Sequence, residues 1–148
     1  MAKQLDATAL ADGLDRLIMW ARRYAPVMVS STTVTTLDTL RTDGPLRVSA
    51  LAVAESVSQP GMTGLVNRLE ASGYAERFAD PADGRASLVR ITDAGRQLLA
   101  DRHAVRTQSM STAIERLAKA DQDSLLAALP ALEKLISLPK ADPRTTTE

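Results

Sequence analysis

Residues 46–92 read LRVSALAVAESVSQPGMTGLVNRLEASGYAERFADPADGRASLVRIT and contain most of the structural information in the chain. Two short helical patterns come first, and each follows a serine, Ser49 or Ser58. A serine oxygen at such a position accepts an otherwise unpaired backbone N–H, so both serines are predicted to cap helices. Pro60 suits the first turn of the second helix, and Gly73 is typical of a helix end. The pattern therefore predicts two helices joined by a tight turn.

Two strand-like runs follow, at residues 75–78 and 88–91. Residues 80–85, Asp-Pro-Ala-Asp-Gly-Arg, join them and carry the strongest turn chemistry in the chain. Arg85 is then expected at the tip of a β-hairpin. Two helices, a tight turn and such a hairpin make a winged helix-turn-helix. The predicted fold class is mainly α with a small β-wing (α+β).

The motifs stand in an order that resembles the MarR family, the multiple antibiotic resistance regulators. They are Gly44-Pro45-Leu46-Arg47-Val48-Ser49-x-Leu51-Ala52, Val57-Ser58-Gln59-Pro60-x-Met62-Thr63, Leu65-Val66-x-Arg68-Leu69-Glu70-x-x-Gly73, Asp80-Pro81-x-Asp83-Gly84-Arg85 and Thr92-Asp93-x-Gly95. The resemblance covers about residues 5 to 138. It implies a bacterial dimeric winged-helix repressor.

The resemblance and the hydrophobic pattern together suggest one domain over residues 1–148. The winged helix-turn-helix lobe is expected at 33–92, and dimerisation helices at 5–25 and 93–138. Within these ranges, helices are predicted over about 8–24, 33–42 and 92–117, followed by a last helix that Pro130 should kink or divide. Residues 46–48 are expected to add a short third strand. Residues 139–148, which are polar and contain proline, are predicted to be a disordered tail.

The composition argues against disulfides, metal sites and a membrane or secreted protein. The chain has no cysteine, so it forms no disulfide and no thiolate metal site, and its single histidine, His103, makes a zinc site improbable. No cofactor is expected. No run reaches the roughly eighteen apolar residues of a membrane span, and the N-terminus lacks a secretory apolar region. These features favour a cytoplasmic protein.

Net charge is the observation that fits DNA binding least well, because 18 basic residues balance 18 acidic ones. A nucleic-acid binder is more often basic. Phosphates respond to the local field, however, and six arginines surround the helix-turn-helix and hairpin. They are Arg41, Arg47, Arg68, Arg77, Arg85 and Arg90. We expect modest, salt-sensitive DNA affinity, with the interleaved acidic residues turned away from the duplex.

The second helix of the pair is the expected DNA reader. Its apolar positions face the core and leave polar ones for solvent or DNA, where Asn or Gln can contact adenine and Arg can contact guanine. With the hairpin, the predicted DNA-binding residues are Ser58, Gln59, Gly61, Thr63, Gly64, Asn67, Arg68, Asp83, Arg85 and Arg47. The alternative is that they are merely exposed. Gly64 departs from the family pattern, so either the backbone approaches DNA closely or discrimination is weaker.

The hairpin tip is the second predicted DNA site. The resemblance implies that Arg85 enters the minor groove and that Asp83 orients its guanidinium. A narrow A·T-rich groove attracts such an arginine electrostatically. The alternative is a surface ion pair that contributes almost nothing.

The terminal helices carry more leucine than a small winged-helix core can cover. They either pack within one chain or form a two-fold homodimer, which would read a palindrome. The resemblance implies a small-molecule site between the dimer helices and the DNA-reading lobe, where the candidate lining residues are Trp20, Tyr24, Met28 and His103. The alternative is that these are core or interface residues.

No catalytic arrangement emerges, because His103 and Asp101 point to different helix faces and form no triad with Ser109. The protein is therefore not expected to be an enzyme. The sequence favours a cytoplasmic homodimeric transcriptional regulator, expected to repress an inverted-repeat operator in double-stranded DNA and to be released by a small lipophilic or aromatic ligand. The alternative is a winged-helix DNA-binding or protein-interaction module without ligand control.

Overall fold

The computed structural model describes residues 6–23 and 29–138 of the chain. Its elements, in chain order, are α1 (Ala7–Arg22), α2 (Ser31–Asp43), α3 (Val48–Ala54), α4 (Gln59–Ala71), β1 (Ala75–Asp80), β2 (Asp83–Ile91), α5 (Asp93–Glu115) and α6 (Lys119–Ile136). The chain divides into two compact units, Met1–Ser109 and Met110–Glu148. The predicted class, mainly helical with a small β-wing, is confirmed.

The core of the first unit lies between α2, α3, α4 and the hairpin. Leucine, methionine and valine side chains with no exposed surface fill it, and burying each stabilises the fold by about 1.5–3 kcal/mol. The apolar residues with no exposed surface are Leu37, Leu51, Met62, Val66 and Val89, and Leu40 is only 1% exposed. Because α4 supplies two of them, its outer face is fixed relative to the hairpin.

The start of α3 differs from the prediction. Arg47, not Ser49, is the N-cap, and no side-chain hydrogen bond caps the helix. Leu46, just before it, exchanges two backbone hydrogen bonds with Val89, of 3.0 and 2.8 Å. The chain turns into a helix directly after this bridge, so Ser49 falls inside the first turn. The expected third strand is reduced to the single bridge, since Val48 already belongs to α3.

Two helices end in the same Schellman geometry. After α3, the N–H of Val57 donates to the carbonyl of Ala52 at 3.0 Å, and Ser56 takes a φ of 54°. After α4, Gly73 has a φ of 73° in the equivalent position, as its sequence position predicts. The first of these ends forms the turn of the helix-turn-helix, where a serine occupies the position that favours glycine.

The wing is an antiparallel pair whose register runs from Ala75 opposite Ile91 to Ala79 opposite Ser87. Both strands are longer than predicted, because pairing continues into the turn-forming residues, with an irregularity between Ala79 and Asp80. The predicted hairpin is confirmed. Its loop is shorter than the sequence suggests.

The first turn of α5 packs tightly against the turn between α4 and β1. Thr92 caps α5 as predicted, accepting from the N–H of Gly95 at 3.2 Å, and its hydroxyl donates to the carbonyl of Gly73 at 2.6 Å. A Cβ on Gly95 would lie 2.3 Å from the carbonyl oxygen of Tyr74. Only glycine fits there, which explains its place in the motif.

The terminal helices α1 and α6 have no buried residue. Pro130 was expected to kink or divide the last helix, and helix α6 continues through it, so the helix is not divided. Pro130 is exposed, and water can serve the carbonyl that loses its donor. No helix within residues 6–23 and 29–138 is long and apolar enough to cross a membrane. The predicted tail, Tyr24 and Met28 lie outside the described residues.

Candidate nucleic-acid interface

Helix α4, which we call the reader helix, buries Met62, Leu65, Val66 and Leu69 and turns its other side outward. That outward side carries the polar residues predicted to contact DNA. Gln59, Gly61, Thr63, Asn67 and Arg68 are exposed, and Gly64 is half-buried. The structure therefore brings these six residues to one surface.

The start of the reader helix is built by Ser58 and Gly61. Ser58 Oγ accepts from the N–H of Gly61 at 3.3 Å, so the predicted cap is confirmed. A Cβ on Gly61 would lie only 3.0 Å from this oxygen. Glycine at this position leaves the cap undisturbed.

The middle of the reader helix combines an internally bonded threonine with an open glycine. The hydroxyl of Thr63 donates to the carbonyl of Gln59 at 2.9 Å. A Cβ on Gly64 would lie 3.6 Å from Nη1 of Arg68, an ordinary contact. The guanidinium of Arg68 thus lies beside Gly64, and alanine would fit there.

Asn67 contacts an arginine that the sequence analysis did not assign to the site. Nη2 of Arg77 donates to Oδ1 of Asn67 at 3.0 Å, while Glu70 accepts from both the guanidinium and the backbone N–H of Arg77. The turn at Gly73 folds β1 back beside the end of the reader helix. The sequence signal for this contact was Glu70 before, and Arg77 after, the glycine that ends the helix.

Arg47 holds the turn of the wing, where Asp80 ends β1 and Asp83 begins β2. Its guanidinium donates to Oδ2 of Asp80 at 2.7 Å and lies 3.5 Å from the carboxylate of Asp83. The hydrogen bond from Arg47, followed by the backbone N–H of Ala82, lowers the pKa of Asp80. The same carboxylate raises the pKa of Arg47. The predicted DNA residue Arg47 is therefore engaged in joining α3 to the wing.

Asp83 does not pair with the Arg85 guanidinium as the family resemblance implies. Its Oδ1 accepts the backbone N–H of Arg85 at 3.2 Å, and its other oxygen faces Arg47. Arg85 is exposed at the wing tip, and its guanidinium forms no ion pair with any residue in the described ranges. The carboxylate is therefore turned toward Arg47.

Four of the six surrounding arginines are neutralised by carboxylates in the structure. The pairs are Arg41–Asp38, Arg47–Asp80, Arg77–Glu70 and Arg90–Glu76. Arg90 also lies 4.9 Å from the centroid of the Phe78 ring. Among the described part of the chain, Arg68 and Arg85 have no carboxylate within ion-pair distance. Of these six arginines, the two without a carboxylate partner therefore lie on the reader helix and at the wing tip.

Of the four residues predicted to line a ligand site, Tyr24 and Met28 lie outside the described residues, so that site stays a prediction. Trp20 is half-buried on α1, whereas His103 is exposed on α5, with its Nε2 3.5 Å from the hydroxyl of Thr107 on the same helix. A cleft between the wing and α5 contains neither of them. It is lined by Glu76, Arg90, Ile91, Thr92, Asp93 and Arg96.

Comparison with known proteins agrees with this architecture. Residues 29–87 match the sequence model of the MarR family. The uncharacterized HTH-type transcriptional regulator ML2140 of Mycobacterium leprae is 31% identical over 110 residues, which cover 74% of this chain and 73% of the relative. The HTH-type transcriptional regulator MT0903.1 of Mycobacterium tuberculosis is 28% identical over 123 residues, covering 83% and 85%.

Solved structures give the same result. The transcriptional regulator Tm0710 of Thermotoga maritima superposes with a TM-score of 0.78 at 25% identity, covering 87% of this chain and 94% of that one. These relatives are transcriptional regulators, which is not a class of enzymes. This chain therefore belongs to the MarR family of winged helix-turn-helix, DNA-binding transcriptional regulators.

Proposed function

We propose that this protein is a cytoplasmic homodimeric repressor that binds an inverted-repeat operator and is released from it by a small lipophilic or aromatic ligand. The two arginines without a carboxylate partner carry this proposal. Arg68 projects from the reader helix and Arg85 from the wing tip, where they can meet a major-groove base edge and a minor groove. The four neutralised arginines surround them and add little net charge.

Exposed apolar surface on the terminal helices supports the dimer. On α1, the side chains of Leu10, Leu17, Ile18 and Met19 are largely exposed. On α6, Leu126 is 67% exposed and Ile136 is 82% exposed. Burying apolar area is worth about 25 cal/mol per Å², so a second copy that covered these faces would gain stability. A two-fold dimer would present two reader helices to a palindrome.

Structures with the same fold support the DNA and ligand parts. A mutant of the Staphylococcus aureus regulator MepR, with a TM-score of 0.65 and 16% identity, is bound to an oligodeoxyribonucleotide and covers 90% of this chain. The PcaV regulator of Streptomyces coelicolor, with a TM-score of 0.54 and 19% identity, is in complex with its natural ligand and covers 93%. At these identities the likeness shows the fold alone.

Footprinting on DNA upstream of the protein's own gene tests the function. We expect a protected inverted repeat, two protomers per site, and affinity that falls steeply with salt as counterions are released. Titration with aromatic acids and phenols should release the operator and change the fluorescence of Trp20, the single tryptophan. A monomer at micromolar concentration, or salt-independent binding, would contradict the repressor. Operator binding that no compound reverses would favour a module without ligand control.

A further inference from the structure

A chain of hydrogen bonds links Glu70, Arg77 and Asn67 where the reader helix meets the wing. The backbone N–H of Arg77 donates to Oε1 of Glu70 at 3.1 Å, and its Nη1 donates to Oε2. Its Nη2 donates to Oδ1 of Asn67 at 3.0 Å. Arg77 and Glu70 are less than a third exposed, whereas Asn67 is exposed on the outer face.

The chemistry of the guanidinium fixes the orientation of the Asn67 amide. A guanidinium has only donors, so the Asn67 atom that faces it must be the carbonyl oxygen. The amide nitrogen, which carries two donors, then lies on the other side of the side chain. Glu70 holds Arg77 by its backbone as well as its side chain, so the guanidinium is a fixed point and not a free surface group.

We propose that Arg77 is a positioning residue that orients the Asn67 amide so that its two N–H donors are presented to DNA. This inference rests on the proposed function, because it takes α4 as the element that meets DNA. A bidentate contact with adenine needs a donor and an acceptor from the same amide. Because Arg77 already takes one lone pair of the Asn67 oxygen, Asn67 meets DNA chiefly through its donors. The partner that we propose in DNA is an acceptor oxygen or nitrogen, on a base edge or on a phosphate.

The sequence places Asn67 well for this role. Gln59, Thr63 and Asn67 follow one another at intervals of four residues, so they share a face of the reader helix. Thr63 already donates its hydroxyl proton to the carbonyl of Gln59. Asn67 is thus the residue of this row whose donors are directed by a contact from outside the helix.

A double-mutant cycle on operator binding tests the coupling. Asn67→Ala should weaken binding by roughly threefold to tenfold per protomer, the effect of one net hydrogen bond. Arg77→Met should weaken wild-type binding similarly and should have much less effect in the Asn67→Ala background. Any loss from an unpaired Glu70, or from a direct phosphate contact of Arg77, is common to both backgrounds and cancels.

Arg90→Met is the matched control. Like Arg77, Arg90 is a wing arginine that pairs with a carboxylate, but it does not contact Asn67. Its effect should be equal in both backgrounds. Additive effects for Arg77→Met as well would overturn the proposal, and so would an Asn67→Ala variant with wild-type affinity. If the two substitutions are coupled only when one particular base pair is present in the operator, the acceptor lies on that base edge. If the coupling is the same for all operator variants, the acceptor is a phosphate.

A measurement without DNA keeps the proposal testable if the variants bind too weakly. Side-chain ¹⁵N relaxation of the free protein should show a restrained Asn67 amide in the wild type and in Arg90→Met, and a mobile one in Arg77→Met. A mobile amide in the wild type would overturn the inference. A restrained amide in a protein that binds no operator would refute the proposed function, while the contact between Arg77 and Asn67 would stand.

Discussion

The residues in the left-handed position after α3 and α4 differ in how well they suit that conformation. Gly73 occupies a left-handed position at no steric cost, whereas Ser56 occupies the equivalent position with a φ of 54°. A left-handed conformation costs an L-residue roughly 1–2 kcal/mol. Glycine avoids this steric cost, but it loses more conformational entropy on folding, so its net advantage is smaller. The turn of the helix-turn-helix is therefore less stable with serine at position 56 than it would be with glycine.

We predict that Ser56→Gly raises the free energy of unfolding by about 0.5–1 kcal/mol. The matched variant Gly73→Ser should lower it by a similar amount, because it places a side chain in the same conformation. Urea unfolding with an unchanged m-value measures both. A Ser56→Gly protein that is less stable than wild type would show that the serine side chain contributes to the turn.

Asp80 gives a second prediction, on pH. Its pKa is lowered by the hydrogen bond from Arg47, so in the folded protein it stays ionised to lower pH than in the unfolded chain. The folded state therefore gains stability above the unfolded pKa of about 3.9 and loses it as pH falls through the lower folded value. Arg47 stays charged throughout, since its pKa is raised.

The unfolding free energy of the wild type should therefore fall more steeply below about pH 4 than that of Asp80→Asn, which cannot titrate. Urea unfolding at a series of pH values from 6 down to 3 checks this. Parallel curves for the two proteins would contradict a stabilising Arg47–Asp80 contact. Asp83→Asn serves as the control, because its carboxylate is farther from Arg47, at 3.5 Å.

Elements meet most closely where α5 begins. Gly95 lies against the backbone of Tyr74, and a Cβ there would overlap its carbonyl oxygen. Gly95→Ala should destabilise the protein by about 1–3 kcal/mol, since backbone and not a flexible side chain would have to move. Gly64→Ala, with an ordinary 3.6 Å contact, should instead stabilise it by roughly 0.5–1 kcal/mol. Thermal unfolding compares the two variants, and an equally stable Gly95→Ala protein would contradict this packing.

The elements were predictable where their signals are local. Ser58 and Thr92 cap helices, and Gly73 ends one, because each acts on backbone groups within a few residues of itself. Ser49 has the same local chemistry, yet the helix starts before it. The cause is the bridge between Leu46 and Val89, which are distant in sequence, and no local pattern reveals it.

The candidate site was predictable to the same degree. Periodicity places the predicted residues on the outer face of α4, and turn chemistry places Arg85 at the wing tip. The partners of the arginines were not predictable, because they depend on pairings such as Arg47 with Asp80 and Arg77 with Asn67. These contacts form only after β1 folds back beside α4. The expectation that Asp83 pairs with Arg85 was wrong for this reason.

For the whole molecule, a net charge of zero and DNA binding are compatible because most of the charge near the interface is paired. The paired arginines stabilise the lobe and the wing, and Arg68 and Arg85 are left to meet the duplex. We therefore expect Arg68 and Arg85 to make most of the arginine contribution to DNA binding in each protomer. The acidic residues hold the other arginines in place, so they need not repel phosphates strongly.

Operator affinity of three alanine variants, measured over a range of salt concentrations, decides this assignment. Arg68→Ala and Arg85→Ala should each weaken binding by roughly 1–3 kcal/mol, and a variant that has lost a phosphate contact should also show a smaller salt dependence. Arg41→Ala removes the same charge from a residue already paired with Asp38 and should bind nearly as the wild type does. Equal losses in all three variants would show that net charge alone governs binding and would contradict the account.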